Sequence, residues 1–132
     1  MRLLLDTHAL IWFAAGDTRL PDPVREAIAD PQNEVFVSAA SAWEIAAKYR
    51  KGKLPEASYL VAHWAEILEA CGIVDLAVTS RHAFRAGLLT LANADPFDRM
   101  IVAQAQSEDL VAASNEADWD HLGIVRLWNA AP

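Results

Sequence analysis

Residues 2–16 of this chain read RLLLDTHALIWFAAG, and this stretch decides the fold. The short apolar run at 2–5 predicts a buried strand that ends at Asp6. The residues after it have the apolar spacing of a helix, which breaks at Gly16. A strand that runs straight into a helix is the start expected of an alternating α/β fold.

The same alternation continues along the rest of the chain. Further strands are predicted at residues 34–37, 73–76, 110–113 and 124–128, and further helices at 21–29, 38–50, 56–70, 79–92 and 97–107. Parallel strands need crossover connections, which are usually helices, so the pattern predicts a mostly parallel sheet of about five strands with helices on both faces. We therefore predict a three-layer α/β/α fold. The chain shows no repeat, linker or shift in composition, so residues 1–132 are expected to form one domain.

Composition excludes several classes of protein. Apolar residues make up 54 % of the chain, with only five Gly and six Pro, which excludes disordered and collagen-like classes. The longest apolar run, at 9–15, is too short to span a membrane, and Asp6 and His8 interrupt what would be the core of a signal peptide. We expect a soluble, cytoplasmic protein with no membrane contact. The single Cys71 permits neither an internal disulfide nor a cysteine-rich metal site.

The net charge limits how the protein could bind nucleic acid. Eighteen Asp and Glu against eleven Lys and Arg give a charge of −7, which opposes strong non-specific binding to phosphates. Four of the acids are candidates for one site, and without them 14 acids face 11 bases, a balance of −3. More than half of the excess negative charge is therefore expected in one pocket.

These four acids are expected to meet at one edge of the sheet. Asp6 ends the first predicted strand, Glu44 lies in the helix after the second, Asp98 opens a later helix, and Glu116 follows the strand predicted at 110–113. Ligands of α/β sheets bind outside the carboxyl ends of the strands, which is this edge. Carboxylate oxygens suit hard cations, whereas Zn²⁺ prefers clusters of His or Cys that the sequence lacks. The acids therefore predict a Mg²⁺ or Mn²⁺ site.

Each acid also has a purely structural explanation. Asp6 could cap the helix that follows it. Asp95 fits the N-cap of a later helix, and Asp98 fits the first turn of that helix, where acids favour the helix dipole. Glu44 could form a solvent-facing ion pair with Lys48, four residues further on. The fourth acid could be a solvated surface residue.

Four stretches together resemble a known family. They are LLDTHALIW (4–12), VSAASAWEIAAKYRKGKL (37–54), ADPFDRMIVAQA (94–105) and GIVRLW (123–128). They are similar to the PIN-domain proteins of the VapC type, the toxins of bacterial VapBC toxin–antitoxin pairs. The resemblance implies a PIN-like domain that acts as a Mg²⁺- or Mn²⁺-dependent endoribonuclease. It also implies an RNA substrate, a VapB-type antitoxin as partner, and a homodimer.

The resemblance assigns roles to the acids. Asp6, Glu44 and Asp98 correspond to the catalytic metal-binding acids of the family, and Glu116 to a fourth acid after the fourth strand. Metal-activated water would hydrolyse RNA and leave 5′-phosphate and 3′-hydroxyl ends. Two positions depart from the family pattern. Ser-Asn-Glu at 114–116 stands where Thr-x-Asp is usual, and Asn93 stands where His is common.

Other residues are predicted to assist the acids. The supporting residues are Thr7, Asp95, Ser114 and Asn115. Candidates for binding RNA phosphates are Lys48, Arg50, Lys51, Lys53 and Arg99. The basic run at 48–53 could equally be a solvated helix end. The four His are expected to be structural or exposed, and the five Trp to pack mainly in the core rather than stack on bases.

Three other functions fit part of the pattern. A non-catalytic PIN-like module that binds RNA or protein is suggested by Glu116 in place of Asp. A phosphoacceptor receiver-like domain suits the length and the acidic pocket, but the sequence lacks paired acids after the first strand and a suitable Lys after the last. A histidine-driven ribonuclease that uses the RNA 2′-OH would need no metal and would leave different product ends.

Overall fold

The computed structural model describes residues 1–91 and 95–129. Within these ranges the strands are β1 (Arg2–Leu5), β2 (Glu34–Ser38), β3 (Ile73–Leu76), β4 (Val111–Ala113) and β5 (Arg126–Leu127). The helices are α1 (Thr7–Ala15), α2 (Asp22–Ala29), α3 (Ala39–Arg50), α4 (Ser58–Ala62), α5 (Trp64–Cys71), α6 (Ser80–Leu88) and α7 (Pro96–Glu108). Two short 3₁₀ helices lie at Pro55–Ala57 and Ala117–His121.

The strands form one parallel sheet in the order β3-β2-β1-β4-β5. The chain builds outward from β1 through β2 to β3, and then returns to add β4 on the other side of β1. The boundary between β1 and β4 is therefore the switch point of the sheet, where α/β folds open a crevice for ligands. The prediction of a parallel sheet of about five strands is confirmed.

The central strand is buried on both faces. Leu3, Leu4 and Leu5 are fully buried, and successive side chains of a strand point to opposite faces. Leu3 and Leu5 belong to a core that includes residues of α1 to α5. Leu4 belongs to a second core that includes Ile101 and other residues of α7. Two separate cores on either side of one sheet confirm the three-layer prediction.

The predicted single helix at 56–70 is wrong. A 3₁₀ turn is followed there by α4 and α5, which are separated at His63, whose φ of −131° is not helical. The backbone hydrogen bonds continue across the break, because His63 N donates to Tyr59 O at 3.0 Å and Ile67 N donates to His63 O at 2.9 Å. The chain therefore changes direction without leaving these backbone groups unsatisfied.

Two other boundaries differ from the prediction. The helix predicted at 79–92 is observed as α6 and ends at Leu88. Its predicted end, Ala92, lies outside the described residues, as does Asn93, which departs from the family pattern. The last strand, predicted at 124–128, is observed as β5 and spans only Arg126–Leu127, and the 3₁₀ helix before it buries Trp119 in the second core, as expected for this Trp. None of the helices in the described ranges is both long and apolar enough to cross a lipid bilayer.

Candidate active site

The register of the sheet brings the ends of β1 and β4 together. Leu5 pairs with Ala113, so Asp6 and Ser114 are the next residues at the same edge. Asp6 N donates to Ala113 O at 3.0 Å, and one Asp6 carboxylate oxygen accepts from Ala9 N at 2.7 Å. Asp6 is therefore the N-cap of α1, as its structural explanation predicted. That cap uses one of its two carboxylate oxygens.

A pocket of about 210 Å³ opens at this edge. Its lining residues are Asp6, Thr7, His8, Glu44, Lys48, Asp95, Asp98 and Glu116. The four predicted acids thus share one pocket, and Asp95 joins them as a fifth. Elements distant in sequence supply these side chains, because the acids stand at the carboxyl ends of two strands and in α3 and α7.

Glu44 is buried in the pocket wall with partners for both carboxylate oxygens. The Thr7 hydroxyl donates to Oε1, and the Lys48 ammonium binds Oε2. Thr7 Oγ1 also lies 3.1 Å from Ser41 Oγ, so α1 and α3 are joined by a polar bridge. The ion pair with Lys48 therefore forms, but Glu44 is only 4 % exposed, so the alternative explanation of a solvent-facing pair does not hold.

The first turn of α7 brings two further acids to the pocket. Asp95 is the N-cap of α7, and its Oδ1 accepts from Phe97 N at 2.8 Å and from Asp98 N at 3.3 Å. Burial, together with the nearby negative charges of Asp95, Glu116, Glu44 and Asp6, raises the pKa of Asp98 to about 7. The proton on Asp98 is therefore held more tightly than on an ordinary carboxyl group.

Asp6 is perturbed in the same direction. Burial raises its pKa, although hydrogen bonds from Ala9 N and the Ser114 hydroxyl oppose the rise. Two carboxyl groups with raised pKa values in one pocket indicate negative charge that is not fully compensated. A bound cation would relieve this repulsion and favour the ionised carboxylates.

The donor set fits a hard divalent cation. Among the described residues, no three His, Cys, Asp or Glu side chains are already arranged to hold one ion together. Mg²⁺ does not require such a set, because it usually binds one or two carboxylates and completes its shell with water and substrate phosphate. Asp6 and Asp98 meet that requirement. Glu44 meets it less well, because both of its oxygens already bind Thr7 and Lys48.

The residues after β4 shape the mouth of the pocket. Ser114 is fully buried, and its hydroxyl oxygen accepts from Glu116 N at 3.0 Å. Arg126 Nη1 donates to Ser114 O at 3.0 Å and holds the same segment from β5. Glu116 lines the pocket with an exposed side chain, whereas Asn115 is exposed and lies outside the lining.

The candidate RNA-binding cations separate into three groups. Lys48 lines the pocket, while the exposed residues Arg50, Lys51 and Lys53 follow at the end of α3 outside it. Arg99 has another use, since its guanidinium donates to Ala86 O at 3.2 Å and to Leu89 O at 2.6 Å. It satisfies backbone carbonyl groups at the end of α6, which argues against its predicted role in binding phosphate.

Trp43 was expected in the core, and that prediction is wrong. Its side chain is 67 % exposed, and its ring lies 5.1 Å from the Phe97 ring in an edge-to-face arrangement. The prediction is confirmed for Trp119 and Trp128, which are buried. A sequence signal was available, because Trp43 directly precedes Glu44. Aromatic residues beside a charged site are candidates for binding.

Among the described residues that line the pocket, His8 is the one that the sequence analysis did not assign to the site. It is exposed, as expected, but it lines the pocket two residues after Asp6. Its charge acts to lower the pKa of Asp6. His82 is buried, and its Nε2 lies 2.8 Å from Glu108 Oε1, which agrees with a structural role.

The parallel sheet and the pocket at its switch point define an α/β domain with an acidic site at the carboxyl edge of the sheet. The PIN-domain profile matches residues 3–125, and the chain belongs to this family. It is also similar to Ribonuclease VapC16 of Mycobacterium tuberculosis (strain ATCC 25618 / H37Rv), with 40 % identity over 58 residues. That match covers 44 % of this chain and 41 % of the relative, which is less than half of its length.

Two solved structures share the fold. VapBC2 from Rickettsia felis, bound to a DNA fragment from its promoter, matches with a TM-score of 0.69 and 18 % identity, over 97 % of this chain and 99 % of that chain. VapBC-1 from nontypeable Haemophilus influenzae matches with a TM-score of 0.64 and 17 % identity, over 96 % and 97 % of the two chains. Both likenesses confirm the fold that the sequence predicts.

Proposed function

We propose that this protein is a Mg²⁺- or Mn²⁺-dependent endoribonuclease and the toxin of a VapBC-type toxin–antitoxin pair. The observation that carries the proposal is the pocket at the sheet switch point, where five carboxylates converge and burial raises the pKa of two of them. The similarity to a protein named as a VapC ribonuclease supports the same activity.

The residues of the pocket have distinct tasks in this proposal. Asp6 and Asp98 would hold the metal ion, which when bound polarises the phosphodiester and lowers the pKa of an attacking water. Asp95 caps α7 and so fixes the backbone that carries Asp98. Glu116, at the exposed mouth, is assigned to a second ion or to a water that an ion binds.

An aromatic pair with an exposed Trp43 favours single-stranded RNA. The Trp43 ring packs against the Phe97 ring and links α3 and α7, the two helices that carry the pocket acids Glu44 and Asp98. Unpaired bases stack on exposed aromatic faces, which contributes about 1–3 kcal/mol per base. We propose that a base next to the cleaved bond stacks on Trp43.

This base-stacking role is testable with Trp43→Ala. We expect affinity for a fluorescent single-stranded RNA, measured by anisotropy in the Asp98→Asn background, to fall about tenfold. Tyr59→Ala is a matched control, because Tyr59 is also 67 % exposed and lies outside the pocket lining. Equal losses in both variants would contradict the role of Trp43.

The partners are proposed on two grounds. The solved relatives are VapBC complexes, which supports a VapB-type antitoxin for this chain. Apolar surface on α6 supports a homodimer, since Phe84 and Leu88 are 74 % and 82 % exposed. Light scattering on the purified protein should give the mass of a dimer, and Leu88→Glu should give that of a monomer.

The proposed activity is tested by incubating RNA with the purified protein and Mg²⁺ or Mn²⁺. We expect discrete cuts with 5′-phosphate ends that disappear in EDTA and in Asp6→Asn and Asp98→Asn, with circular dichroism confirming that both variants fold. Cleavage that persists in EDTA would exclude the metal mechanism. Wild-type protein that binds metal and RNA without cutting would instead favour the non-catalytic binding module.

A further inference from the structure

Lys48 differs from the other cations near the site. Its ammonium is paired with the buried Glu44 carboxylate, its side chain is 35 % exposed, and it lines the acidic pocket. Among the described residues it is the one Lys or Arg in that lining. The basic residues that follow it at 50–53 are exposed and lie outside.

We propose that Lys48 binds a non-bridging oxygen of the scissile phosphate, and that Glu44 is the residue that positions it. This inference rests on the proposed function. It changes the role of Glu44, which the family resemblance counts among the metal-binding acids. Glu44 would act through Lys48 rather than as a direct metal ligand. The basis is the use of both Glu44 oxygens, one by the Thr7 hydroxyl and the other by Lys48.

The contacts of Glu44 fix the position of the Lys48 ammonium in the pocket. Glu44 is buried and tied to α1 through Thr7, while Lys48 lies one helical turn further along α3 on the same face. The ammonium is therefore held by a side chain that has little freedom of its own. Three donors on an ammonium leave capacity for a second acceptor besides Glu44.

The pocket also needs such a cation for its substrate. A phosphodiester that approaches five carboxylates is repelled, and each charge in a partly buried site acts more strongly than in water. A fixed positive charge offsets part of that repulsion and contributes to phosphate binding. The same charge opposes a divalent cation bound nearby.

Removal of the Lys48 charge is predicted to change metal affinity and phosphate affinity in opposite directions. Removing it should strengthen metal binding, because a repulsive charge is lost. It should also weaken phosphate binding and slow cleavage. Loss of a metal ligand would weaken metal binding as well as phosphate binding. Loss of a merely structural ion pair would leave metal affinity unchanged in a folded protein.

The test compares Lys48→Met with wild type and with Arg81→Met. The control removes one positive charge from an exposed position on α6, so the net charge changes equally. Mn²⁺ titrations followed by electron paramagnetic resonance, without RNA, should show about tenfold tighter binding in Lys48→Met and an unchanged constant in Arg81→Met. Single-turnover RNA cleavage at saturating Mn²⁺ should slow at least tenfold in Lys48→Met, and Lys48→Arg should recover part of the rate.

A double variant keeps the test decisive if Lys48→Met does not fold because the buried Glu44 carboxylate has lost its ion-pair partner. Glu44→Gln with Lys48→Met removes both charges together and is expected to fold. Its Mn²⁺ affinity should stay within about threefold of wild type while cleavage remains slow. An affinity lower by tenfold or more would identify Glu44 as a metal ligand and overturn the inference.

The other results separate this inference from the proposed function. Unchanged or weaker Mn²⁺ binding by folded Lys48→Met would overturn the role of Lys48, even if the wild type cleaves RNA. Wild-type protein that cuts no RNA would overturn the proposed function and, with it, the contact to a scissile phosphate.

Discussion

At the scale of single residues, the electrostatics of the site are most evident in the pKa of Asp98. Burial and four neighbouring acids raise its pKa to about 7, from an ordinary value of 3.8. A carboxyl group in this state disfavours its own ionisation in the folded, metal-free protein. Strongly raised pKa values of this kind are common at functional sites, where charged groups are held close together.

This raised pKa predicts how stability depends on pH in EDTA. Between about 4 and 7 the folded protein binds more protons at Asp98 than the unfolded chain does, so this group lowers the free energy of unfolding as pH rises. Asp98→Asn removes the titrating group. We expect the variant to be more stable than wild type at pH 8 by on the order of 1–2 kcal/mol, and similar to it at pH 4, in urea unfolding.

The control for this prediction is Asp118→Asn, an exposed acid outside the pocket. It should keep the same pH dependence as wild type. A wild type and an Asp98→Asn variant with identical slopes of stability against pH would show that Asp98 titrates normally in the folded protein.

At the scale of elements, α1 and α3 are joined by polar as well as apolar contacts. Ile11 and Ile45 share the first core, and the Thr7 hydroxyl reaches across to Glu44 beside it. A buried carboxylate requires hydrogen-bond partners, because leaving one unsatisfied costs about 1–3 kcal/mol or more. The Thr7 hydroxyl therefore supplies the hydrogen bond that links Glu44 of α3 to α1, beside the apolar contacts.

Thr7→Val tests this hydrogen bond at nearly constant volume. The variant loses the donor to Glu44 and is expected to be destabilised by about 2 kcal/mol in urea unfolding, whereas Thr7→Ser keeps the hydroxyl and should lose less than half as much. Similar losses in both variants would show that the Thr methyl group, and not the hydrogen bond, stabilises the contact.

At the scale of the whole molecule, the net charge of −7 is distributed unevenly. Five of the eighteen acids line a single pocket, and one lysine partly offsets them. A divalent cation that binds the folded protein, but not the unfolded chain, stabilises the fold by mass action. Binding of such a cation in the pocket would therefore raise the free energy of unfolding of the domain.

Mn²⁺ is expected to raise the midpoint of thermal unfolding. At a concentration about 100 times its dissociation constant the stabilisation should be about 2.7 kcal/mol. Scanning calorimetry with and without EDTA checks this, with NaCl at equal ionic strength as the control. The increase should be lost in Asp6→Asn and Asp98→Asn. An equal increase with NaCl would show general charge screening instead of a site.

Most of the fold was predictable because its signals are local. The run at 2–5, its passage into a helix at Asp6 and the helical crossovers predicted the parallel sheet and both helix layers. The break at His63 was not predictable, because the apolar spacing at 56–70 continues through it.

The layered architecture and the positions of the acids along the chain follow from the amino-acid sequence, since strand and helix periodicity and capping depend on neighbouring residues. The contacts of those acids follow from the packing of the folded chain. That packing buried the carboxylate of the Glu44–Lys48 pair, directed Arg99 to the carbonyl groups at the end of α6 and left Trp43 exposed beside Phe97. The Arg99 and Trp43 contacts join residues of different elements. Burial, partner and charge environment are set by packing, which the local pattern does not specify.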